Sequence, residues 1–251
     1  MKNTLDQLLL FLQTQSTQRG FDRFLVGMSG GVDSALVGVL CQRVLPTHAL
    51  LMPAMHASSA TEDAICLCEC FNIPYTQRPI APYEALFKEQ NPDVSLGRVG
   101  NFCARMRMSL LYDFSMEIGA LVVGTSNKSE IMLGYGTLFG DLAWLLNPIA
   151  HLFKSQVYAL AKSLDIPANI LSKPPSADLY SGQSDETDLG FAYAQIDPLL
   201  QEISARWDNP AHIDTNALCD LGFAPNLVAS IVSRVQKNAF KSQPPACPLP
   251  F

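Results

Sequence analysis

The residues with the clearest chemical potential form one octapeptide, Gly27-Met28-Ser29-Gly30-Gly31-Val32-Asp33-Ser34. It stands where an apolar run, Phe24 to Met28, meets an apolar helical stretch, Ala35 to Leu45. Adjacent glycines let the backbone turn tightly and aim several N–H groups at one point, at a helix N-terminus whose dipole favours an anion. Ser29 and Ser34 add hydroxyl donors, so the turn suits a pyrophosphate. It is neither a Walker A loop, which needs a lysine after its last glycine, nor a GxGxxG dinucleotide turn. Asp33 is the oddity: a carboxylate among anion donors makes sense once a hard cation such as Mg2+ bridges it to the phosphates. Gly27 to Gly31 also fits the hydrolase elbow GxSxG, with Ser29 as nucleophile. Only one helix and one strand precede it, and a hydrolase sheet builds more strands before its elbow, so this rival is the weaker reading.

The elements that must hold the turn alternate. An amphipathic helix is expected over Asn3 to Thr17, from Leu5, Leu8, Leu9 and Leu12. Strand-like runs occur at Phe24–Met28, Ala49–Pro53 and Leu121–Thr125, with a possible further strand at Ile73–Thr76. Helical patterns at Ser59–Phe71 and Asn101–Glu117 lie between them. Such βαβ order predicts a parallel sheet covered by helices on both faces, in a single doubly wound α/β domain spanning residues 1–251. Two more helices are expected at Asp188–Leu200 and Asn226–Gln236. Ser172 to Asp185, rich in Ser, Pro and Asp, reads as a candidate mobile lid, and residues 242–251 as a proline-rich tail.

Composition narrows the functional classes. The 251 residues are 48% hydrophobic and 16% charged, which argues against long disordered arms. A net charge of −6 repels a polyphosphate backbone, so nucleic acid is not the expected partner, while a small anion remains open to local cations. No apolar run approaches the ~18 residues that cross a bilayer, so neither a membrane partner nor a membrane anchor is expected. Seven cysteines, an odd number spread from Cys41 to Cys247, do not read as a disulfide framework, and the chain reads as cytoplasmic. Cys66, Cys68 and Cys70, at spacing two in a helical stretch, are expected to point in three directions and not to share a metal.

Ser29-Gly30-Gly31-Val32-Asp33-Ser34 resembles the pyrophosphate loop of the N-type ATP pyrophosphatases, which cleave ATP between its α and β phosphates. Further segments resemble one branch, the NAD synthetases. They are Gly100-Asn101-Phe102-Cys103-Ala104-Arg105-Met106-Arg107-Met108, Gly124-Thr125-Ser126-Asn127-Lys128-Ser129-Glu130, Phe139-Gly140-Asp141, Leu152-Phe153-Lys154, Pro175-Ser176-Ala177-Asp178-Leu179 and Gln183-Ser184-Asp185-Glu186. The resemblance runs over roughly residues 5 to 245, in family order.

That resemblance implies ATP-dependent amidation of deamido-NAD with ammonia, through an adenylated carboxylate, releasing AMP and pyrophosphate. Gly27, Met28, Ser29, Gly30, Gly31, Val32, Asp33 and Ser34 would cradle ATP, with Thr125, Lys154 and Ser176 as further ATP contacts. Asp33 and Glu130 would hold Mg2+, and Asp33 and Lys154 would serve catalysis. Arg105, Phe240 and Lys241 would contact deamido-NAD. The family also implies a homodimer, and the lack of a second domain before the loop implies free ammonia as nitrogen source. Two positions depart from the pattern: Leu138 and Leu145 stand where many members carry Lys and Asp against deamido-NAD. Arg105, Arg107 and Asp141 are the candidates to compensate. Arg78 is a further candidate nucleotide contact or a surface residue. Other functions compatible with the loop are a different pyrophosphatase-loop ligase, a tRNA-thiolating enzyme, disfavoured by the acidic pI and the absence of CxxC, and a nucleotide sensor without turnover.

Overall fold

Strands of three to five residues, buried on both faces in all but the edge strand over 75–77, make the centre of the molecule, whose computed structural model describes residues 2–55, 58–176 and 184–243. Helix α1 (Lys2–Arg19) leads into β1 (Phe24–Gly27), then α2 (Val32–Gln42), β2 (Thr47–Leu51), α3 (Ser58–Cys70) and β3 (Tyr75–Gln77). Helices α4 (Ala81–Gln90) and α5 (Leu96–Ile118) cross back to β4 (Leu121–Val123). All pairings are parallel, in the order β3-β2-β1-β4, with Val26 opposite Ala49 on one side and Val123 on the other. Leu146 adds one parallel bridge outside Val123. The order reverses between β1 and β4, so the chains leaving their carboxyl ends diverge and open a crevice there.

Side chains alternate across the sheet as a pleat requires. Phe24, Val26, Ala49, Leu51, Leu121 and Val123 pack with α1, α2 and the later helix α7 (Lys154–Ser163). Leu25, Leu50 and Val122 face the opposite layer, with Val99, Cys103 and Phe114 of α5. The doubly wound expectation therefore holds. Between β4 and α7 lies the short α6 (Lys128–Leu133), and after it α8 (Ala168–Leu171). A third apolar cluster unites α6 with α9 (Asp185–Leu189), α10 (Tyr193–Arg206), α11 (Thr215–Asp220) and α12 (Pro225–Asn238). Leu227, Val228, Ile231, Val232 and Val235 form its stripe on α12, at the i, i+4, i+8 spacing of one helix face.

Several boundaries differ from expectation. Helix α4 was not anticipated, because Ala81-Pro82 reads as a turn, although proline is well tolerated in a first helical turn. The expected helix over 188–200 is two helices broken at Gly190. Cys66 and Cys70 are both exposed and in thiol-to-thiol contact on one face of α3, whereas Cys68 is buried; residues four apart share a helix face, so three separate directions was incorrect. All six cysteines among the described residues are free. Of the expected lid, residues 177–183 lie outside the described residues, as do residues 244–251 of the tail.

Candidate functional site

Two loops meet at the crevice. The first, after β1, begins with Met28, whose N–H still donates to Leu50 (3.0 Å). Gly30 then takes φ +84°, and a Cβ there would lie 2.1 Å from the Ala60 carbonyl oxygen, so only glycine fits between the turn and α3. Ser34 ties the turn shut: its hydroxyl donates to Gly31 O (3.0 Å), meets Ser29 Oγ (3.0 Å) and accepts from Ser29 N (3.2 Å). Gly31, the N-cap of α2, has no side chain to cap the helix, which leaves the first-turn N–H groups for an external acceptor. Val32 itself is buried.

The second loop follows β4. Gly124 is pressed against Trp144, whose Cγ would sit 2.5 Å from an added Cβ. Thr125 is half-buried beside it, and Asn127 caps α6: its Oδ1 accepts from Glu130 N (3.0 Å), while Glu130 Oε2 accepts from Asn127 N (3.2 Å).

These loops bring distant carboxylates onto one cation. Lys154, 3% exposed at the start of α7, donates from Nζ to Asp33 Oδ2 at 2.5 Å and to Glu130 Oε1 at 3.1 Å. Asn127 Nδ2 completes the link by donating to Asp33 Oδ1 (2.9 Å). The ring of Tyr193 lies 5.5 Å from the ammonium. Burial pulls the Lys154 ammonium down, but the facing carboxylates overrule it and hold it well above the ordinary lysine range. Burial pushes the Glu130 carboxyl up to about 8, opposed by Lys154 and reinforced by the like charge of Asp33. Asp33 and Glu130 thus share one ammonium.

Asp33 and Glu130 could supply hard oxygen ligands to Mg2+. Among the described residues no cluster of three or more His, Cys, Asp or Glu side chains could hold a metal. Two hard carboxylate oxygens are the kind of donor Mg2+ takes, since it is commonly held by one or two carboxylates together with substrate phosphates. The donor set therefore fits the ion expected from the sequence, provided phosphate completes it.

The other expected residues lie elsewhere. Arg105 is exposed on α5 and donates from Nε to Leu138 O (3.3 Å), so it contacts the backbone of the very residue that departs from the family pattern. Arg107 turns instead to Met52 O (3.1 Å), beyond the end of β2, and Asp141 Oδ1 accepts from Thr137 N (2.8 Å). Lys241 donates to the carbonyls of Gly134 (2.7 Å) and Gly136 (2.9 Å). Phe240 is 57% exposed, and Leu145 is exposed as well. Ser176 is exposed and directly precedes residues 177–183. Arg78 stands at the end of β3 but lies 4.6 Å over the Phe114 ring and pairs with Asp113 (3.0 Å) and Glu117, which makes it a clamp between β3 and α5. Asn127 and Tyr193 were missed as site residues; the N-x-x-E capping pattern of Asn127 and Glu130 was the available signal for the first, and none pointed to the second.

Comparisons with known proteins cover nearly the whole chain. The family model described as NAD synthase matches residues 4–245. The NH(3)-dependent NAD(+) synthetase of Helicobacter pylori is 56% identical over 94% of this chain and 92% of its own length. That of Campylobacter jejuni is 46% identical over 94% and 93%. A solved C. jejuni NH3-dependent NAD synthetase superposes with a TM-score of 0.81 at 36% identity, covering 98% of this chain and 97% of that one. An NMN synthetase from Francisella tularensis gives 0.83 at 32%, covering 99% and 98%. With a family model spanning nearly all of its length and relatives this similar, the chain belongs to the NAD synthase family of ligases.

Proposed function

We propose that this enzyme converts deamido-NAD to NAD with ATP and ammonia, through an adenylated nicotinate carboxylate. The observation that carries the reading is the Lys154 ammonium between Asp33 and Glu130, at the crevice where the glycine turn begins α2. A carboxylate is a poor acyl donor because oxide would have to leave, and transfer of AMP to it supplies a stabilised leaving group. In the first step a carboxylate oxygen attacks the α-phosphorus and pyrophosphate departs. In the second, ammonia attacks the acyl carbon and AMP departs with the carboxyl oxygen, the nitrogen losing a proton to solvent.

The chain's own groups meet the charge that develops. First-turn N–H groups of α2 would face the departing pyrophosphate, and Lys154 would provide a compact positive charge beside it. Ser29 and Ser34 hold the turn in shape through their mutual contact (3.0 Å). Mg2+, held by Asp33 and Glu130 with phosphate oxygens, would supply Lewis-acid neutralisation of the triphosphate. Thr125 and Ser176 would border ATP. Arg105, Phe240 and Lys241 belong to the deamido-NAD end, with Lys241 acting by fixing residues 134–136. The reading includes a cytoplasmic homodimer, as the family resemblance implies; no helix among the described residues is long and apolar enough to cross a membrane.

The test is an assay of purified protein with ATP, Mg2+, ammonium and deamido-NAD, scoring NAD and AMP together. Because one similar structure is of an NMN synthetase, nicotinate mononucleotide serves as a competing acceptor. Equal yields of NAD and AMP, dependent on deamido-NAD, are expected. ADP in place of AMP, or turnover with the mononucleotide alone, would overturn the proposal.

A further inference from the structure

Lys154 is the first residue of α7, yet the residue before it, Phe153, makes no side-chain cap hydrogen bond. The leading N–H groups of a helix need acceptors, and here they come from other elements. Lys154 N donates to Ser129 Oγ of α6 (3.0 Å), and Ser155 N donates to Asp197 Oδ2 of α10 (2.7 Å). Ser129 Oγ in turn donates to Asp197 Oδ1 at 2.6 Å. Asp197 is 1% exposed, Ser129 is fully buried, and among the described residues no Lys or Arg pairs with this carboxylate.

A buried carboxylate without an ion pair is costly, and an apolar side chain could fill this place beside Ile196, Leu199 and Leu200 without that cost. What the carboxylate adds is direction. One oxygen fixes Ser129, next to Glu130, and the other fixes Ser155, next to Lys154. We propose that Asp197 is a positioning residue of this enzyme, one that grips the first turns of α6 and α7 together so that Glu130 and Lys154 converge on Asp33. It touches no reacting atom and acts through Ser129 and Ser155. The link to catalysis rests on the function proposed above; the link to MgATP binding rests only on the cluster.

Three variants test it: Asp197→Asn, which keeps the shape but turns an acceptor into a donor, Ser129→Ala, and Leu200→Ala, a cavity on the same helix away from the polar contacts. The readouts are the Kd for MgATP by calorimetry, kcat and KM for deamido-NAD and ammonium, and Tm. Asp197→Asn is expected to weaken MgATP binding and lower kcat by about 10-fold or more, the usual scale for partners that orient metal-binding groups. KM for ammonium should stay unchanged. Ser129→Ala should move the same readouts in the same direction by less, and Leu200→Ala should lower Tm without moving the MgATP affinity. Asp197→Asn with wild-type MgATP affinity and kcat would overturn the proposal, as would Leu200→Ala matching its effect on Kd. If Asp197→Asn does not fold, Ser129→Ala decides on the same readouts. A wild-type protein that binds MgATP yet does not amidate deamido-NAD would sink the proposed function while leaving the three affinities to judge Asp197.

Discussion

The two ends of the crevice are built differently. At the glycine-turn end, Asp33, Asn127, Glu130 and Lys154 are bonded to one another across three helices, and Lys154 and Asn127 are almost wholly buried. At the other end, around residues 134–145, the candidate substrate groups hold backbone: Arg105 binds Leu138 O, Lys241 binds Gly134 and Gly136, and Phe139, Leu145 and Phe240 lie exposed. A pre-formed charge cluster resists reorganisation, which is what charge stabilisation during phosphoryl chemistry requires. An open end with exposed apolar side chains has the character that a larger organic substrate would need.

That contrast can be broken by mutation. Removing the shared cation should do the most damage: Lys154→Ala leaves Asp33 and Glu130 facing each other, and kcat is expected to fall by about 100-fold to 1,000-fold, measured as pyrophosphate release. Activity within a few-fold of wild type would mean the cluster is structural only. Next comes Gly30→Ala. Its Cβ would overlap the Ala60 carbonyl at a positive φ, so a destabilisation of about 1–3 kcal/mol in thermal melts and a loss of detectable MgATP binding are expected. Asn127→Ala removes the α6 cap, which costs about 1 kcal/mol, and takes the Asn127 donor from Asp33 Oδ1; urea melts and the MgATP Kd should both shift, the latter by about 10-fold. Smallest is Arg105→Ala, at the open end. KM for deamido-NAD should rise about fivefold with kcat and MgATP affinity unchanged, and a shift confined to MgATP would erase the distinction between the two ends.

Legibility in the sequence followed the same division. The glycine turn was readable because its function depends on local backbone: adjacent glycines after a strand and before a helix have few other uses. Asp33 stood out as a carboxylate among anion donors. The alternation of apolar runs disclosed the parallel sheet, since buried parallel strands carry unbroken hydrophobic stretches. Helix α4 was hidden by its early proline, and the split at Gly190 by a periodicity that continues across it. Asn127 was in plain view within a quoted motif, but its contact with Asp33 joins residues 94 positions apart. Arg78, open in the sequence between a nucleotide contact and a surface role, was decided the same way. Its place at a strand end suggested a ligand, and Asp113 with Glu117, from a helix 35 or more positions later, had already engaged it.

The alternation that makes the parallel sheet, the glycine turn and the family were written in runs of neighbouring residues, because dihedral preference and hydrophobic period act over a few residues at a time. The pairing of Lys154 with two carboxylates, its burial and the grip of Asp197 on both flanking serines were decided only when β1 and β4 came together and α10 closed over them. Coulomb and hydrogen-bond energies depend on distance through space, and separation along a chain does not encode it.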